Sequence, residues 1–436
     1  MSSLQPSNSP MRWVPTLYFV QGMQFFVVML IAGLMFKNMG VANDLIARWT
    51  GLLGLAWAIK PLWSPFLELV RSKKLIVVTM QFTGAAGLAL MAMALQLPSY
   101  FAAAIAVLFL LAYASATHDI ACDGLYMASL DNKQQAAYAG WQGAFFNASK
   151  FLTLGGLLVL AGHLEKSVGV FNAWSGIFAL LAVMLAGLAA YNAWALPNPL
   201  SVPTGKLSVA SITQTLSEVV VDFLKKPGIW VAILFIVLFR FAEGQVQTIG
   251  PLFMLEAREK GGLGLSTEAM GGIYGTVGTG AFLAGSILGG YFTAWLSLRR
   301  AMPVLILAMA VPNVVFYYLS ITLPQDLFHI SVAVAVEMFG YGFGFVGMIL
   351  YIMQAVAPGK FQTAHYALGS GVMQLGFILS KTISGDVQMA MGYQSFFLWT
   401  IACGVPALAL MFFVKFPSAN PEEVTVPGQQ SASIAS

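Results

Sequence analysis

Stretches of about twenty consecutive apolar residues recur along this chain, and they constrain its fold more than any other feature. Twelve such stretches occur, at 13–36, 45–69, 75–96, 100–129, 137–161, 172–195, 229–254, 269–296, 301–322, 327–356, 361–388 and 393–415. Each is long enough to cross a bilayer as a helix. Because lipid offers no partner to a backbone N–H or C=O, each must be helical. The sequence predicts an all-α membrane protein with twelve transmembrane helices.

Composition excludes a soluble protein, since 58% of the 436 residues are hydrophobic and only 9% are charged. Soluble domains carry roughly 25% charged residues. The net charge of +4 therefore reports membrane topology and does not indicate a nucleic-acid partner. With the N-terminus inside, the basic residues on the cytoplasmic side are Arg12, Arg71, Lys73, Lys74, Lys133, Lys206, Lys225, Lys226, Arg299, Arg300, Lys360 and Lys415. Those on the opposite side are Lys37, Arg48, Lys166, Arg258 and Lys260. This bias predicts a multi-pass membrane protein with both termini cytoplasmic.

The spans divide into two sets of six, which predicts four segments along the chain. These are an N-terminal six-helix bundle (1–195), a cytoplasmic linker (196–228), a C-terminal six-helix bundle (229–415) and a disordered cytoplasmic tail (416–436). The second half of the linker, "TLSEVVVDFLKK", places its apolar residues on one face of a helix. We predict that this helix lies on the membrane surface.

The two sets of spans look like copies of each other. "YFVQGMQ" (18–24) in the first span resembles "RFAEGQV" (240–246) in the seventh, and "LYMASLDNKQQAAYA" after the fourth resembles "LYIMQAVAPGKFQTAHYA" after the tenth. The offset between matching positions stays between 222 and 228, and six spans later the chain has the same orientation. Two parallel six-helix halves of this kind characterise major facilitator transporters.

No nucleotide or metal site is indicated by the sequence. The pattern G-x-x-x-x-G-K-[ST] does not occur in it, so we expect a gradient and not ATP to drive transport. "HDIACD" offers metal-ligand types, but His118 and Asp119 point about 100° apart on a helix, which argues against a shared ion. We expect no cofactor and no enzymatic activity.

Ionisable side chains inside the spans are costly and usually face a polar interior or water. The cations are Lys60, Lys150, Arg240 and Lys381, and the acids are Asp119, Asp123, Glu243, Glu337 and Asp386. Lys150 lies near the middle of the fifth span, with Gln142 and Asn147 on the same helix. It is predicted to hold an anionic group of a substrate; the alternative is an ion pair with a neighbouring helix. Lys381 and Asp386 are predicted to pair near the outer end of the eleventh span.

Arg240 and Glu243, three residues apart on the seventh span, either pair with each other or line a cavity. The matching stretch of the first span carries Gln21 and Gln24, which favours a cavity lined by both spans. Glu337 in the tenth span is suited to carry a proton. The alternative is that Glu337 is a buried partner for a cation.

The stretch "SATHDIACDG" (115–124) ends the fourth span with two aspartates on one side of the helix. Asp119 lies one turn deeper and is predicted to take part in proton coupling, with His118 as a neighbour that can share a proton. Asp123 is predicted to latch the cytoplasmic mouth by pairing with a base there: Lys60, Arg71 or Lys133. The alternative makes both aspartates members of one structural ion-pair network.

Two of these stretches resemble a known transporter family. "KPLWSPFLELV" (60–70) and "SATHDIACDG" are similar to the ends of the second and fourth spans of AmpG-like permeases. The matching residues are Lys60, Trp63, Ser64, Pro65, Ala116, Thr117, His118, Asp119 and Asp123. This family implies a major facilitator fold and import of anhydromuropeptides, which are cell-wall fragments, across the bacterial inner membrane. The same branch contains siderophore importers and an acetyl-CoA carrier.

The sequence and the resemblance together predict a monomeric, proton-coupled secondary importer of a cell-wall-derived amino sugar, muropeptide or related oligosaccharide. The predicted substrate-binding residues are Gln21, Gln24, Trp141, Gln142, Asn147, Lys150 and Arg240. The predicted proton-coupling residues are His118, Asp119, Glu243 and Glu337, and the predicted gating residues are Lys60 and Asp123. The alternatives are a siderophore or drug permease, and a membrane sensor that binds without transporting.

Overall fold

The computed structural model describes residues 9–67, 70, 72–199 and 209–416, and these fold into a bundle of helices. We label the membrane helices α1 to α12 in chain order. The first six are α1 (Pro10–Asn38), α2 (Asn43–Leu53 continued by Leu55–Ala58), α3 (Lys73–Ala94), α4 (Tyr100–Ser129), α5 (Asn132–Lys150 continued by Phe151–Leu157 and Leu158–Val168) and α6 (Val170–Ala195). The second six are α7 (Ile229–Leu255), α8 (Thr267–Leu296), α9 (Leu298–Thr322), α10 (Leu327–Val356), α11 (362–391) and α12 (393–402 continued by Val405–Leu410).

Within the described residues, ten helices are long and apolar enough to cross a membrane. One of them, Ala364–Leu410, contains both α11 and α12, because the chain turns at Gly392 with φ of 73° and ψ of 168°. A positive φ of this size is tolerated by glycine, which has no Cβ. The remaining membrane helix, α2, is short because it ends before Pro61, which has no N–H to continue it. The predicted all-α fold with twelve membrane helices is confirmed.

The second span was predicted to continue to residue 69, and this boundary is wrong. After Ala58 the chain forms a 3-10 turn at Lys60–Leu62 and a short helix at Ser64–Leu67. Proline disfavours the α conformation in the residue before it, so the break falls at Lys60. The consequence for the site is that Lys60 lies at the end of a helix and not within one.

Apolar helix faces pack against one another within each half, and the largest buried apolar cluster contains residues of both halves. In the first half α1 packs on α4 and α5, and α3 packs on α4 and α6; in the second half α7 packs on α11, and α10 packs on α8 and α9. Trp174 and Phe178 of α6 and Phe235 of α7 are almost wholly buried in these contacts. The face of each helix that turns away from these cores is exposed and apolar, as in Trp295, which is 80% exposed.

The two halves meet through α2 against α11 and through α5 against α8. The α2–α11 contact runs along both helices, from Gly385 beside Asn43 to Gly371 beside Ala58. The α5–α8 contact is concentrated between Leu154 and Gly162 of α5. This part of the helix lies away from the chain termini. The halves are therefore held together most closely at the end of the bundle opposite the termini.

We expect Gly275→Val to destabilise the contact between α5 and α8. A Cβ at Gly275 would overlap the backbone carbonyl of Leu154, and backbone cannot swing aside as a flexible side chain can. Overpacking of this kind costs about 1–3 kcal/mol. The measurement is the melting temperature of the detergent-solubilised protein. Gly272→Val is the matched control, because a Cβ at Gly272 of the same helix meets nothing within 4 Å; equal melting temperatures for the two variants would contradict the prediction.

The linker contains a helix, Val209–Leu224, at the end of the bundle that carries the termini. Its Val219 and Phe223 are buried, and the Phe223 ring lies 5.6 Å from that of His365 on α11. Just after it, the Lys226 ammonium donates to the carbonyls of Val356 (2.6 Å) and Pro358 (2.8 Å) beyond the end of α10. The linker helix is thus anchored to the second half. Residues 200–208 and the predicted tail from 417 lie outside the described residues.

Candidate substrate and coupling site

Three helices of the first half converge on Asp119 of α4. Lys60, at the end of α2, forms an ion pair with this carboxylate, and the Gln21 side-chain amide of α1 donates to its other oxygen. The Lys60 side chain is 33% exposed and that of Asp119 is 13% exposed. A paired lysine and aspartate at the edge of water form a contact that can break and re-form at low cost.

Asp123, one turn from Asp119, has a different partner. The Tyr18 hydroxyl of α1 donates to Asp123 (3.1 Å), and the Gln142 amide of α5 donates to the same hydroxyl (2.9 Å). The predicted pairing of Asp123 with Lys60 is therefore wrong, because Lys60 binds Asp119. Arg71 and the Lys133 side chain lie outside the described residues. Tyr18 was missed by the sequence reasoning, although it lies three residues before Gln21 and so on the same face of α1.

His118 does not join this cluster. It is fully buried, and its Nε2 lies 3.0 Å from the Gln81 amide nitrogen of α3 while the Cys122 sulfur lies 3.4 Å from its ring. The polar neighbours of this ring are thus Gln81 and Cys122, both within the first half. The predicted role of His118 as a proton-sharing neighbour of Asp119 is not supported by this orientation. The pair points into the core of the first half; no His, Cys, Asp or Glu cluster suited to a metal ion occurs among the described residues.

Three other predicted substrate residues, Gln24, Trp141 and Asn147, differ from one another in their surroundings. Gln24 is buried against Gly84 of α3, and neither atom of its amide has a hydrogen-bond partner among the described residues. Trp141 is 42% exposed and stacks on Phe145. Asn147 donates to the Gly143 carbonyl of its own helix (2.9 Å). Trp141 is thus exposed and Asn147 is bonded to its own helix, while Gln24 points into the core of the first half.

In the second half, Arg240 and Glu243 of α7 form a buried ion pair. The guanidinium Nε lies 3.2 Å from a Glu243 oxygen, and both side chains are about 5% exposed. The Arg240 guanidinium also lies between two aromatic rings, 4.8 Å from the Phe345 centroid and 4.5 Å from the Phe377 centroid. Cation–π contact holds this charge in place with few hydrogen bonds, which leaves N–H groups free for a ligand.

Glu337 of α10 is buried and bonded on one side only. One of its oxygens accepts from the Gln247 amide (3.0 Å), whose own oxygen accepts from the Tyr274 hydroxyl of α8 (2.9 Å). The other Glu337 oxygen has no hydrogen-bond partner among the described residues. Gln247 and Tyr274 were not predicted, because single polar residues in apolar helices carry no signal for which neighbour they contact.

Lys150 lies between the two halves. Its ammonium is 4.9 Å from the centroid of Phe282 on α8 and 5.9 Å from that of Phe26 on α1. Within the described part of the chain no carboxylate lies within ion-pair distance of it, and Glu337 is the acid in electrostatic range. An ammonium held by ring faces at membrane depth keeps its hydrogen-bond donors for another anion.

The family of the chain follows from its sequence. The sequence model of the Major Facilitator Superfamily matches residues 16–380. This chain belongs to the Major Facilitator Superfamily. It is a membrane transporter and not an enzyme.

Individual relatives and solved structures agree with this assignment. The transporter is 25% identical to the anhydromuropeptide permease of Escherichia coli K12 over 376 residues, 84% of this chain and 71% of that protein. It is 22% identical to putative transporter AmpG 4 of Rickettsia conorii over 410 residues, 91% of this chain and 94% of that protein. The resemblance to the AmpG-like branch predicted from two motifs is confirmed.

Two solved structures share the fold. A bacterial homolog of the human lysosomal transporter Spinster, in an inward-facing and unoccupied conformation, matches with a TM-score of 0.71, 14% identity and coverage of 94% of this chain and 97% of that chain. The nucleoside transporter NupG matches with a TM-score of 0.70, 16% identity and coverage of 92% and 98%. At these identities the structures support the fold alone.

The transporter is closed at the end of the bundle away from its termini, which we call the sealed end. Polar contacts join the two halves there: Lys37–Glu256, Asn43–Tyr393 (2.8 Å), Arg48–Asp386 (2.8 Å) and Lys166–Glu268 (2.7 Å). Partial burial opposes ionisation of Glu256, yet the bond from Lys37 outweighs it and holds the pKa of this carboxyl below its usual range. A cavity of about 860 Å³ at this end is lined by Lys37, Asn43, Lys166, Glu256 and Tyr393, among others. Since Asp386 binds Arg48, the predicted pairing of Asp386 with Lys381 is wrong.

At the opposite end, two residues near the site are exposed. Asp123 is exposed, and it lies near the turn at Asp131 that begins α5 on the side of the termini. Trp141, in the same part of α5, is exposed too. Asp123 and Trp141 are therefore exposed on the side that carries the termini, whereas Arg240, Glu243 and Glu337 are buried.

Proposed function

We propose that this transporter is a proton-coupled importer of cell-wall-derived muropeptides or related anionic amino sugars across the bacterial inner membrane. The observation that carries the proposal is a set of charged side chains at membrane depth: Lys150, half-buried between the two halves, and Arg240, Glu243 and Glu337, buried in the second half. The name of the E. coli relative, anhydromuropeptide permease, supports the substrate class. Ionisable residues at membrane depth mark substrate and proton pathways.

Lys150 and Arg240 are the proposed anion-binding residues. Both cations are held by aromatic rings, so each retains N–H donors for a carboxylate. Trp141 exposes a ring on which a sugar can pack, and Gln142 and Asn147 lie on the same helix. Gln21 reaches the site through its bond to Asp119. Because Gln24 faces Gly84, we leave it out of the proposed substrate site.

The proposed proton carriers are Asp119, Glu243 and Glu337. Each contacts a cation or an amide that a substrate can compete with: Asp119 binds Lys60, Glu243 binds Arg240, and Glu337 is in range of Lys150. When a substrate anion takes the cation, the acid loses its partner and its protonated form is favoured. Uptake of the anion and of a proton would thus be linked.

The proposed gate at the end that carries the termini involves Lys60 and Asp123. Asp123 is tied to α1 and α5 by Tyr18 and Gln142, so closing this end would require α5 and its partners to move together. The excess of basic residues near the termini favours a cytoplasmic position for this end. In that orientation, opening of this end would release substrate to the cytoplasm.

The test is uptake of a radiolabelled anhydromuropeptide into proteoliposomes with an imposed proton gradient. We expect accumulation above equilibrium that collapses with a protonophore and survives replacement of sodium. Glu337→Gln should reduce accumulation to the equilibrium level, because an amide cannot carry the proton. Glu259→Gln, an exposed loop acid, is the matched control.

Other outcomes would redirect the proposal. Sodium-dependent uptake that resists a protonophore would contradict proton coupling. Binding without accumulation would identify a sensor, and accumulation of siderophores in place of muropeptides would overturn the substrate class.

A further inference from the structure

A second lysine occupies the position in the second half that Lys150 occupies in the first. The segment Phe146–Asn–Ala–Ser149–Lys150 of α5 matches Phe377–Ile–Leu–Ser380–Lys381 of α11, with an offset of 231. The first and seventh helices match with an offset of 222 at Gly22 and Gly244. The offset therefore grows along the chain, from 222 there to 228 at Tyr138 and Tyr366 and to 231 at the two lysines.

Matching contacts around the two segments support this equivalence. The hydroxyl of Ser149 donates to the Phe146 carbonyl (2.6 Å), and the hydroxyl of Ser380 donates to the Phe377 carbonyl (2.9 Å). A Cβ at Gly22 of α1 would meet the Ser149 hydroxyl and the Phe146 carbonyl. Likewise, a Cβ at Gly244 of α7 would meet Ser380 and Phe377. The two halves therefore pack these helices in the same way.

Parallel repeats are related by an axis along the membrane normal, so equivalent residues lie at equal depth. Lys150 and Lys381 thus occupy equivalent positions of their helices, one in each half. Both approach the same stretch of α1: the Lys150 ammonium lies 5.9 Å from the ring of Phe26, and the Lys381 ammonium lies 3.2 Å from the carbonyl of Met29, one turn further along.

Lys381 is buried, with 6% exposure, and within the described part of the chain the Met29 carbonyl is its hydrogen-bond partner and no carboxylate lies within ion-pair distance. It lines a small cavity of about 30 Å³ together with Gln247 and Tyr274, which connect to Glu337. An ammonium at membrane depth without an acid is costly. Such a residue is kept where it meets an anion in another state of the protein.

The burial of Lys381 depends on closure of the sealed end. The Lys381–Met29 contact joins α11 of one half to α1 of the other, and it lies between the centre of the bundle and the sealed end. Opening of that end would separate the two helices and free the ammonium. Lys150, by contrast, contacts Phe282 of α8 beyond the end of the α5–α8 contact, on the side of the termini.

We propose that Lys381 is a second anion-binding residue and that the substrate carries two anionic groups, one for each of the symmetry-related lysines. This deepens the proposed function and rests on it: the substrate class becomes a sugar-peptide with at least two carboxylates. Lys381 takes its carboxylate while the sealed end is open and exchanges it for the Met29 carbonyl as that end closes. The second carboxylate stays with Lys150 until release.

The first test compares a probe muropeptide bearing two carboxylates with the same compound in which one carboxylate is an amide. Lys381→Met should lower subsaturating uptake of the dicarboxylate about tenfold, the value of one charge-assisted hydrogen bond. One of the two monoamides lacks the carboxylate that Lys381 binds. For that compound Lys381→Met should change uptake less than twofold, because the variant removes no contact with it. Lys381→Arg should retain more uptake than Lys381→Met, and Ser384→Ala, one turn away on α11, is the control.

If wild type accumulates the dicarboxylate and Lys381→Met equals wild type, the inference is overturned while the proposed function stands. Equal loss of uptake for the dicarboxylate and both monoamides in Lys381→Met would also overturn it, because the lysine would then not contact a carboxylate.

The second test does not need the substrate. In a protein with Cys122→Ala and Cys403→Ala, Lys381→Cys should react with a membrane-impermeant thiosulfonate applied from the side of the sealed end. Lys150→Cys should react from the side of the termini. If Lys381→Cys is unreactive from both sides, the inference is overturned, whether or not muropeptides prove to be the substrate. Reactivity from the sealed side together with failed muropeptide uptake supports a second anion site but removes the proposed substrate.

Discussion

Lys150→Ala should reduce uptake at least about 30-fold while the protein inserts and folds normally. The loss of one partner of a desolvated charge pair costs about 2–5 kcal/mol, and Lys150 is the proposed partner of a substrate carboxylate. Its ammonium touches only ring faces of Phe26 and Phe282 among the contacts described. The measurement is initial uptake into proteoliposomes containing equal amounts of protein.

The stability of the same variant separates binding from folding. Removal of a half-buried charge that has no carboxylate within ion-pair distance should leave the melting temperature unchanged or raised. Lys225→Ala, which removes an exposed lysine of the linker, is the matched control for both measurements. Wild-type uptake by Lys150→Ala would exclude a role in binding or coupling, and a large drop in melting temperature would assign Lys150 to structure.

Asp119→Asn should lose uphill accumulation yet retain exchange of labelled for unlabelled substrate. The asparagine keeps the shape and can still bond Gln21, but it cannot carry a charge or a proton. Lys60 loses its counter-ion, and because its side chain is 33% exposed it can turn to water without unfolding the helix end. The measurement is the ratio of accumulation to counterflow exchange in the same vesicles.

Asp123→Asn is the matched variant, one turn away on the same helix. Its carboxylate accepts from Tyr18 and not from Lys60, so the change should preserve accumulation better than Asp119→Asn does. It should instead alter the accessibility of cysteine probes placed at the end that carries the termini. If both variants share one defect and that defect is poor expression, the stretch from 115 to 124 serves structure and not coupling.

The buried acids and cations could be found in the sequence because each stands out in an apolar segment. The sequence could not identify the residue that each of them contacts. Asp119 and Asp123 share a helix face by periodicity, yet periodicity gives only angles between residues of one helix. It does not say which neighbouring helix a face meets, so the prediction included Lys60 among three possible partners of Asp123 and missed Tyr18.

His118 and Gln24 show the same limit. Each lies beside a residue of the site in sequence, and each points into the first half, toward Gln81 and Gly84. A polar side chain in a transmembrane helix can face a cavity or a polar neighbour in the core, and the local sequence is alike in both cases. The environment became visible only when α3 was placed against α1 and α4.

The sequence alone determined the number of membrane helices, the division into two related halves and the family. These follow from the length of apolar runs, which the bilayer thickness dictates, and from repeated residues at a nearly constant offset. The tertiary structure alone decided which end is sealed, which carboxylate each cation binds, and that Lys381 lies buried as the counterpart of Lys150. Hydropathy acts on each helix by itself, whereas ion pairs and closure depend on the rotation of each helix against its neighbours, which packing between side chains distant in sequence determines.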